Sequence, residues 1–581
     1  MLIVGENPLS IEDVVAIARK EKQVSLPSSV EWIALIQRGA DFLDQLLQDE
    51  GVIYGVTTGY GDSCLVGVPA HQVHELPLHL SRFHGCGMGQ NLDLITARAV
   101  LTVRLCSLAR GYSGVSHALL QRLVWMLNED VIPVIPSEGS VGASGDLTPL
   151  SYIAGAVVGE RDVYYQGRIV PVSEVYVEKG VQPLVMRPKE GLALMNGTAV
   201  MTAIACLNYK KAEQISFAST LITALNVLAL EGNPSHFDEV LFAQKPHQGQ
   251  QTIAAQLRDW LNSEVQTAHQ SSRLQDRYSL RCAPHVIGVF EDSKVWLRQF
   301  IENELNSSND NPLIDPVNLR VLHGGHFYGG HIAQAMDSLK VMIANIADLM
   351  DRQLAQLVDY KMNNGLPRNL TGSSLERLPL NHGFKAVQIG VSAWTAEALK
   401  QTLAASIFSR STECHNQDKV SMGTIAARDA SRVILLTEQV VAALSCAAIQ
   451  AIKLKKMDND LSPVLNMFQQ WVLQSFNYVE EDRALQHELQ SLVNRFEDLE
   501  LLSHIVVKYS GPISDPIDGG TIYFEPYYNH HIWFDKKKHG EWGILYSKVY
   551  IITRIKNANI EDVRDYGISG EDGSIFFQLT P

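Results

Sequence analysis

A glycine-rich stretch between two helical patterns contains the residues with the most distinctive chemistry. It reads GSVGASGDL over residues 139–147, and the helical pattern that follows has Pro149 in its first turn, where the missing N–H costs nothing. Such a stretch is most often a structural turn, because glycine tolerates positive φ and close backbone approach. A phosphate-binding loop is the next interpretation, but the Lys-Ser/Thr pair that such a loop requires does not follow.

Backbone cyclisation is a third interpretation of the same stretch. The unhindered nitrogen of Gly145 can attack the carbonyl carbon of Ala143 if a sharp turn compresses the three residues. Loss of water, including the Ser144 hydroxyl, would then leave a methylidene conjugated to an imidazolone ring. Such a group is a strong electrophile and needs no external cofactor. The tripeptide alone does not decide between this chemistry and a plain turn.

Three other residues have side chains that would complement an electrophile. Tyr54, in YGVTTGYG, could remove a proton if an electropositive site favoured its ionised form, although a packed loop tyrosine is the ordinary interpretation. Asn196, in LMNGT, either caps a helix or donates to a developing oxyanion. Arg281, in QDRYSLR, is either a surface residue or a bidentate ligand for a carboxylate.

Seven segments, in one order along the chain, together resemble the histidine, phenylalanine and tyrosine ammonia-lyases and the related aminomutases. They are YGVTTGYG at 54–61, GSVGASGDLTPLS at 139–151, KEGLALMNGT at 189–198, QDRYSLRCAPHVIG at 275–288, NSSNDNPL at 306–313, HGGHFYGG at 323–330 and HNQDKVSMG at 415–423. The resemblance covers roughly residues 5–505. It implies a 4-methylidene-imidazol-5-one (MIO) group formed from Ala143, Ser144 and Gly145, with no external cofactor and no metal.

The resemblance also implies a role for each matching residue. Tyr54 would be the base, Asn196 would donate to the imidazolone oxygen, and Arg281 would hold the carboxylate of an amino-acid substrate. The remaining implied site residues are Tyr278 among the catalytic groups, Gln275 lining the site, Asn311 assisting the arginine, and Phe327 near the MIO ring.

Three further residues bear on the choice of substrate. The family's specificity pair maps onto Phe83 and His84, which matches none of the Ser-His, His-Leu or Phe-Leu pairs of the resembling enzymes. The His84 ring could bond a phenol hydroxyl. Gln417 stands where histidine-specific members carry a glutamate. L-Tyrosine is therefore the predicted substrate, and p-coumarate and ammonia are the predicted products.

Several alternatives stay open at this point. Histidine, phenylalanine or 3,4-dihydroxyphenylalanine could be the substrate, or a tyrosine 2,3-aminomutase could return the ammonia to the β-carbon. An inactive helical scaffold of the same fold is the non-enzyme alternative. The fumarase-like enzymes, another helical family that performs eliminations, use a GSSxMPxKxN loop that this sequence lacks.

The elements that must position these residues are predicted to be α-helical. Amphipathic helical spacing covers Ser10 to about Leu47, with Ser10 as a candidate cap, and long helical patterns fill most of residues 190–505. An all-α fold is therefore predicted. The resemblance implies an N-terminal MIO domain (1–200), a central helix bundle (201–509) and a homotetramer whose active sites combine three chains. Residues 510–581 change composition and suggest a small β-rich appendage of unassigned role.

Composition limits the classes of possible binding partner and the expected cellular compartment. A net charge of −15 and the lack of a basic stripe argue against nucleic acid, which leaves a small aromatic amino acid as the expected partner. Seven scattered cysteines without a CxxC pair fit the cytoplasm. The N-terminus does not have the pattern of a signal peptide. The longest apolar run, residues 439–452, predicts a buried core helix and no membrane contact.

Overall fold

The described chain is predominantly helical. The computed structural model describes residues 1–49, 51–261, 273–500 and 502, together with the backbone of 544–545 and 550–551. Its α-helices are α1 (Ile11–Ala18), α2 (Val30–Gln48), α3 (Leu76–Phe83), α4 (Leu94–Leu108), α5 (His117–Asn128), α6 (Leu147–Val157), α7 (Val172–Lys179), α8 (Glu190–Met195), α9 (Ala199–Ala229), α10 (Glu239–Ala243), α11 (Gln248–Leu261), α12 (Tyr278–Arg281), α13 (Ala283–Leu305), α14 (Gly330–Val358), α15 (Lys385–Lys400), α16 (Gly423–Lys455), α17 (Pro463–Leu473) and α18 (Gln486–Asn494). The predicted all-α class is confirmed.

The described chain also contains short β-strands. They are β1 (Leu2–Ile3), β2 (Val24–Ser25), β3 (Met88–Asn91), β4 (Ile132–Pro133), β5 (Pro136–Glu138), β6 (Asp162–Tyr165), β7 (Arg168–Pro171), β8 (Leu313–Asp315), β9 (Arg320–Leu322), β10 (Ile544–Leu545) and β11 (Tyr550–Ile551). β1 pairs with β2 in parallel, and the pairs β3–β5, β4–β6, β6–β7, β8–β9 and β10–β11 are antiparallel. Apart from the β10–β11 backbone, the predicted appendage at 510–581 lies outside the described residues.

Three long helices, α9, α14 and α16, form the centre of the bundle. α14 packs along both α16 and α9, and α9 packs along α16. α9 is buried along nearly its whole length, whereas α14 and the first half of α16 each keep a narrow exposed stripe opposite their buried faces. Among the described helices, α16 has the length and hydropathy of a membrane span, but most of it is buried inside the protein. The core helix predicted at 439–452 is confirmed as part of α16.

All three central helices begin at the same end of the bundle. Gly329 and Gly423, at the starts of α14 and α16, both pack against Met201 in the first turn of α9, so closely that a side chain on either would overlap its sulfur. We call this the N-terminal end of the bundle. At the opposite end, which we call the far end, Gln353 of α14 donates a hydrogen bond of 2.9 Å to the Ser279 carbonyl in α12.

The N-terminal helical region is interrupted where the sequence suggested continuous helical spacing. Ser10 caps α1 as predicted, and its hydroxyl accepts from the Asp13 amide. The chain leaves the helix after Ala18, because Lys20 adopts a left-handed φ of 64°. β2 then pairs with β1 before α2 begins, so α1 and α2 pack as separate helices.

Candidate active site

The Ala143–Ser144–Gly145 loop connects β5 to α6 and turns sharply. Gly142 and Gly145 have φ values of +67° and +72°, in the left-handed region that favours glycine. Gly145 pairs with Gly197 in an isolated β-bridge, and a side chain on Gly145 would overlap the Gly197 carbonyl. The glycines therefore allow the 196–198 turn to approach the tripeptide backbone directly.

Asp146 fixes this loop to the start of the bundle. Its buried carboxylate accepts hydrogen bonds of 3.0 Å from the amides of Val200 and Met201 in the first turn of α9. It also accepts from the hydroxyls of Ser140, at 3.1 Å, and Thr424, in α16. Burial raises the pKa of Asp146, and these donors oppose the rise. One carboxylate thus joins the loop to two central helices.

Asn196 lies beside the tripeptide. Its Nδ2 donates a hydrogen bond of 2.7 Å to the Ser144 carbonyl oxygen, and its own Oδ1 accepts no hydrogen bond from the described part of the chain. Cyclisation of the tripeptide would make the Ser144 carbonyl oxygen the oxygen of the imidazolone ring. The Asn196 amide therefore lies where the ring oxygen would need a hydrogen-bond donor, so the residues present fit the MIO group.

Gln417 reaches the tripeptide from a different loop. Its Nε2 donates a hydrogen bond of 3.2 Å to Ser144 Oγ, and its Oε1 accepts one of 2.8 Å from the Thr412 hydroxyl. The backbones of Thr412 and Gln417 also pair with each other, closing the loop between them. The Thr412 hydroxyl thus orients the amide with its nitrogen toward Ser144.

Tyr54 lies in the first glycine-rich loop. Its hydroxyl oxygen accepts a hydrogen bond of 2.7 Å from the Gly61 amide, and its ring meets that of His323 edge-on with centroids 6.5 Å apart. Burial raises the pKa of the Tyr54 phenol, the Gly61 amide lowers it, and the charge of Glu413 raises it further. The expected shift toward ionisation is therefore not produced by the described residues of one chain, which raise this pKa.

The candidate specificity pair lies at the end of α3, where Phe83 is the last helical residue and His84 is the next. The ring centroids of Phe83 and His84 lie 4.5 Å apart, with Phe83 58% exposed and His84 half-buried. Burial lowers the pKa of His84 to about 4, so its imidazole is neutral at physiological pH. A neutral imidazole can either donate a hydrogen bond to a substrate hydroxyl or accept one from it.

Asn311 and Phe327 also lie toward the N-terminal end of the bundle. The Asn311 side-chain oxygen accepts a hydrogen bond of 2.8 Å from the Gly324 amide, which links the segment just before β8 to the loop after β9. Phe327 is half-buried on that same loop, two residues before the Gly329 contact with α9.

Gln275, Tyr278 and Arg281 lie at the far end of the bundle. The Arg281 guanidinium stacks over the Tyr278 ring at 4.7 Å, and its Nε donates to the Asp276 carbonyl at 2.9 Å. The neighbouring Ser279 is bonded to Gln353, and α14 runs about 35 Å from its start to Gln353 at ~1.5 Å per residue. Within one chain these residues therefore do not meet Ser144, and Arg281 does not meet Asn311.

Comparison with known proteins identifies the family. The family model described as aromatic amino acid lyase matches residues 9–473. The chain belongs to the aromatic amino acid lyase family. It is 34% identical to a histidine ammonia-lyase of Geobacillus sp. (strain WCH70) over 492 residues, which cover 84% of this chain and 95% of that protein. The lyase assignment predicted from the seven segments is confirmed, and the chain is a carbon–nitrogen lyase.

Solved structures agree with the family assignment. The fold is similar to that of tyrosine aminomutase from Streptomyces globisporus, with a TM-score of 0.81, 32% identity, and coverage of 87% of this chain and 98% of that one. It is also similar to histidine ammonia-lyase from Trypanosoma cruzi, with a TM-score of 0.79, 29% identity, and coverage of 88% and 96%. This aromatic amino acid lyase therefore shares its fold with ammonia-lyases and aminomutases.

Sequence reasoning missed two residues that hold this site together. The Asp146 carboxylate bonds Thr424, 278 positions away along the chain, and the Thr412 hydroxyl orients the Gln417 amide five positions further on. The position of Asp146, between the tripeptide and a helix start, is a usable signal because such carboxylates commonly bind free helix amides. Nothing in the sequence marks Thr412.

Proposed function

We propose that this lyase removes ammonia from L-tyrosine to give p-coumarate, using a group formed by cyclisation of Ala143–Ser144–Gly145. That group supplies an electrophilic carbon that activates the substrate amine. The observation that carries the proposal is the 2.7 Å hydrogen bond from Asn196 Nδ2 to the Ser144 carbonyl oxygen. This donor suits an oxygen that gains negative charge, and burial strengthens the interaction.

Other residues at the N-terminal end of the bundle are proposed to remove the proton and to line the substrate space. Tyr54 is proposed to take the β-proton, and the Gly61 amide bonded to its oxygen favours the phenolate. Because burial raises the pKa of this phenol, a cation brought in with the assembled site is needed to offset it. Asn311 and Phe327 are proposed to line the substrate space from the loops before α14.

Substrate binding is proposed to require a second copy of the chain. Arg281 binds the substrate carboxylate, with Tyr278 and Gln275 beside it, and these residues lie at the far end of the bundle, about 35 Å along α14 from the end that holds the tripeptide of their own chain. A homotetramer with active sites shared between chains resolves this separation. The scattered cysteines agree with assembly in the cytoplasm.

Tyrosine is favoured by two side chains. Gln417 presents a neutral amide nitrogen toward Ser144, whereas pairing with a substrate imidazole calls for a carboxylate at that position. His84, neutral because burial lowers its pKa to about 4, can bond a phenol hydroxyl that phenylalanine lacks. A solved relative that is similar in fold is named as a tyrosine aminomutase.

The experiment is a product assay on the purified enzyme. Tyrosine, phenylalanine, histidine and 3,4-dihydroxyphenylalanine are incubated separately, and conjugated acids, β-amino acids and ammonia are measured. The proposal expects p-coumarate and ammonia from tyrosine at the highest kcat/KM. Accumulation of β-tyrosine as the main product would make the enzyme an aminomutase and overturn the lyase proposal.

Histidine is the second candidate substrate. The relatives matched by sequence include histidine ammonia-lyases from several bacteria. Gln417→Glu supplies the carboxylate that an imidazole would pair with. If tyrosine is the substrate, this variant loses activity on it, whereas a higher kcat/KM for histidine than for tyrosine in the unchanged enzyme would establish the second candidate.

A further inference from the structure

A single carboxylate joins two loops of the active site. Glu413 belongs to the loop that ends in Gln417, and its Oε1 accepts a hydrogen bond of 2.8 Å from the Asp62 amide in the loop that begins with Tyr54. The same carboxylate lies against Gly61 so closely that a side chain there would overlap it. The contact joins residues 351 positions apart in the sequence.

The contact falls on the turn that orients the proposed base. Gly61 and Asp62 begin a 3₁₀-helix, Gly61–Leu65, so their amides are free of helical partners. The Gly61 amide donates to the Tyr54 hydroxyl oxygen, and the next amide, that of Asp62, donates to Glu413. A contact that holds the Asp62 amide therefore also fixes the direction of the Gly61 amide.

The Glu413 loop has a backbone that needs such a restraint. Glu413, Cys414 and His415 have φ values of 52°, 53° and 64°, and consecutive left-handed residues other than glycine cost free energy. The Ser411 hydroxyl bonds the His415 ring at 2.8 Å, and Glu413 bonds across to the other loop. Strain of this kind persists where contacts hold it, often at functional sites.

We propose that Glu413 is a positioning residue that couples the Tyr54 loop to the Gln417 loop, so that the proposed base and the side chain that contacts Ser144 are held as one unit. The proposal rests on the proposed function for the roles of Tyr54 and Gln417. The contact between Glu413 and the Asp62 amide does not rest on that function, because it is present in the enzyme without substrate. Glu413 is exposed, so its replacement leaves the packing of the core unchanged.

The charge of Glu413 has a separate effect on the proposed base. The groups that face Tyr54 are Glu413 and Cys64, which raise the pKa of the phenol, and the rings of Tyr60 and His323. The carboxylate thus stabilises the turn while opposing the phenolate. Glutamine separates the two effects, since its side-chain oxygen can still accept from Asp62 but carries no charge.

The tie is tested by amide hydrogen exchange on the full-length enzyme without substrate. Glu413→Ala is expected to speed exchange of residues 54–65 by roughly threefold or more, because a charge-assisted hydrogen bond is lost, whereas Glu413→Gln stays near wild type. Glu376→Ala, on an exposed turn elsewhere, is the control and leaves this segment unchanged. Unchanged exchange in Glu413→Ala would overturn the proposal.

The charge effect is tested by the pH dependence of kcat/KM. A base acts when deprotonated, so activity rises as the pH passes its pKa, and removing a negative charge lowers that pKa. The rising limb should move to lower pH in Glu413→Gln, and the difference from wild type should shrink at high salt. If the rising limb of the pH profile does not move at low salt, Glu413 is not coupled to the base.

A third variant separates failure of this inference from failure of the proposed function. Tyr54→Phe removes the phenol hydroxyl but not the Asp62 contact. If this variant keeps full activity, Tyr54 is not the base and the proposed function loses that step. The exchange measurement on Glu413→Ala still decides whether the two loops are tied.

Discussion

The two ends of the helix bundle are built differently. At the N-terminal end, buried side chains hold the tripeptide in place. Asn196 donates a hydrogen bond to Ser144, and Asp146, which follows the tripeptide, accepts one from the first turn of α9. At the far end Tyr278 is 71% exposed, and Arg281 stacks on that exposed ring. The difference agrees with the proposal that one end holds the reactive group, whereas the other presents side chains outward for use by another subunit.

Helix direction accounts for part of this division. The starts of α6, α9, α14 and α16 lie around the tripeptide, and helix N-termini carry partial positive charge that favours a developing anion. The far end has the carboxyl ends of α9 and α14, where a cation such as Arg281 is favoured. The same parallel helices thus suit a charge-stabilising site at one end and an arginine at the other.

The largest expected effect comes from breaking the tripeptide. Ser144→Ala removes the hydroxyl lost on cyclisation, and Gly145→Ala places a side chain against the Gly197 carbonyl. Both variants should lose all detectable activity and the near-ultraviolet absorbance expected of a methylidene conjugated to an imidazolone. Gly180→Ala is the matched control, because Gly180 has a φ of +64° but no atom near its side-chain position, so only about 1 kcal/mol of stability is lost. Full activity in Ser144→Ala would contradict the account.

Intermediate effects should distinguish the two ends kinetically. Asn196→Ala removes a donor aimed at the developing charge, so kcat should fall by about 10²–10³ with little change in KM. Arg281→Met removes a ligand of the substrate in its ground state, so KM should rise by at least about tenfold. Steady-state kinetics on both variants test this. A pure KM effect in Asn196→Ala would refute the assignment of charge stabilisation to the N-terminal end.

A smaller effect is expected at the specificity pair. His84→Leu removes the partner proposed for the phenol hydroxyl, so the ratio of kcat/KM for tyrosine to that for phenylalanine should fall by roughly 10-fold or more. The competing substrates are compared in the same preparation. Phe83→Leu, at the exposed neighbour, is the matched comparison and should change the ratio less. Equal ratios in wild type and His84→Leu would remove His84 from substrate recognition.

The smallest effect concerns stability against pH. Burial lowers the pKa of His84 from 6.5 to about 4, so between these values the unfolded chain binds more protons than the folded one. The contribution of His84 is present above pH 6.5 and is lost as the pH falls toward 4. His84→Leu should therefore show a shallower loss of Tm over this range. An identical pH dependence in the variant would contradict the burial of this imidazole.

The predictable features of the site were local. The glycine-rich turn and the Ser10 cap follow from residue types within a few positions. The contact of Asn196 with Ser144, 52 positions away, was predicted only through the resemblance to known enzymes. The bonds of Asp146 to Thr424 and of Glu413 to Asp62 join distant segments, and no local pattern encodes them. The break at Lys20 was missed because helical spacing continues on both sides of it.

The resemblance to known enzymes supplied what local patterns could not. It predicted that Arg281 and Tyr54 need not meet within one protomer, a separation set by the length of α14 rather than by any residue. The pKa of Tyr54 could not be foreseen, since it depends on burial and on Glu413, which follows 359 positions later in the numbering.

The central claim is that each site combines the tripeptide of one chain with the far end of another. Co-expression of Ser144→Ala with Arg281→Met tests it most directly, because each variant alone lacks one half of every site. At substrate concentrations well below KM, random assembly of the two should give about a quarter of wild-type activity, since one site in four pairs an intact tripeptide with an intact arginine. Hybrids no more active than the separate variants would contradict the claim and require both residues to act within one chain.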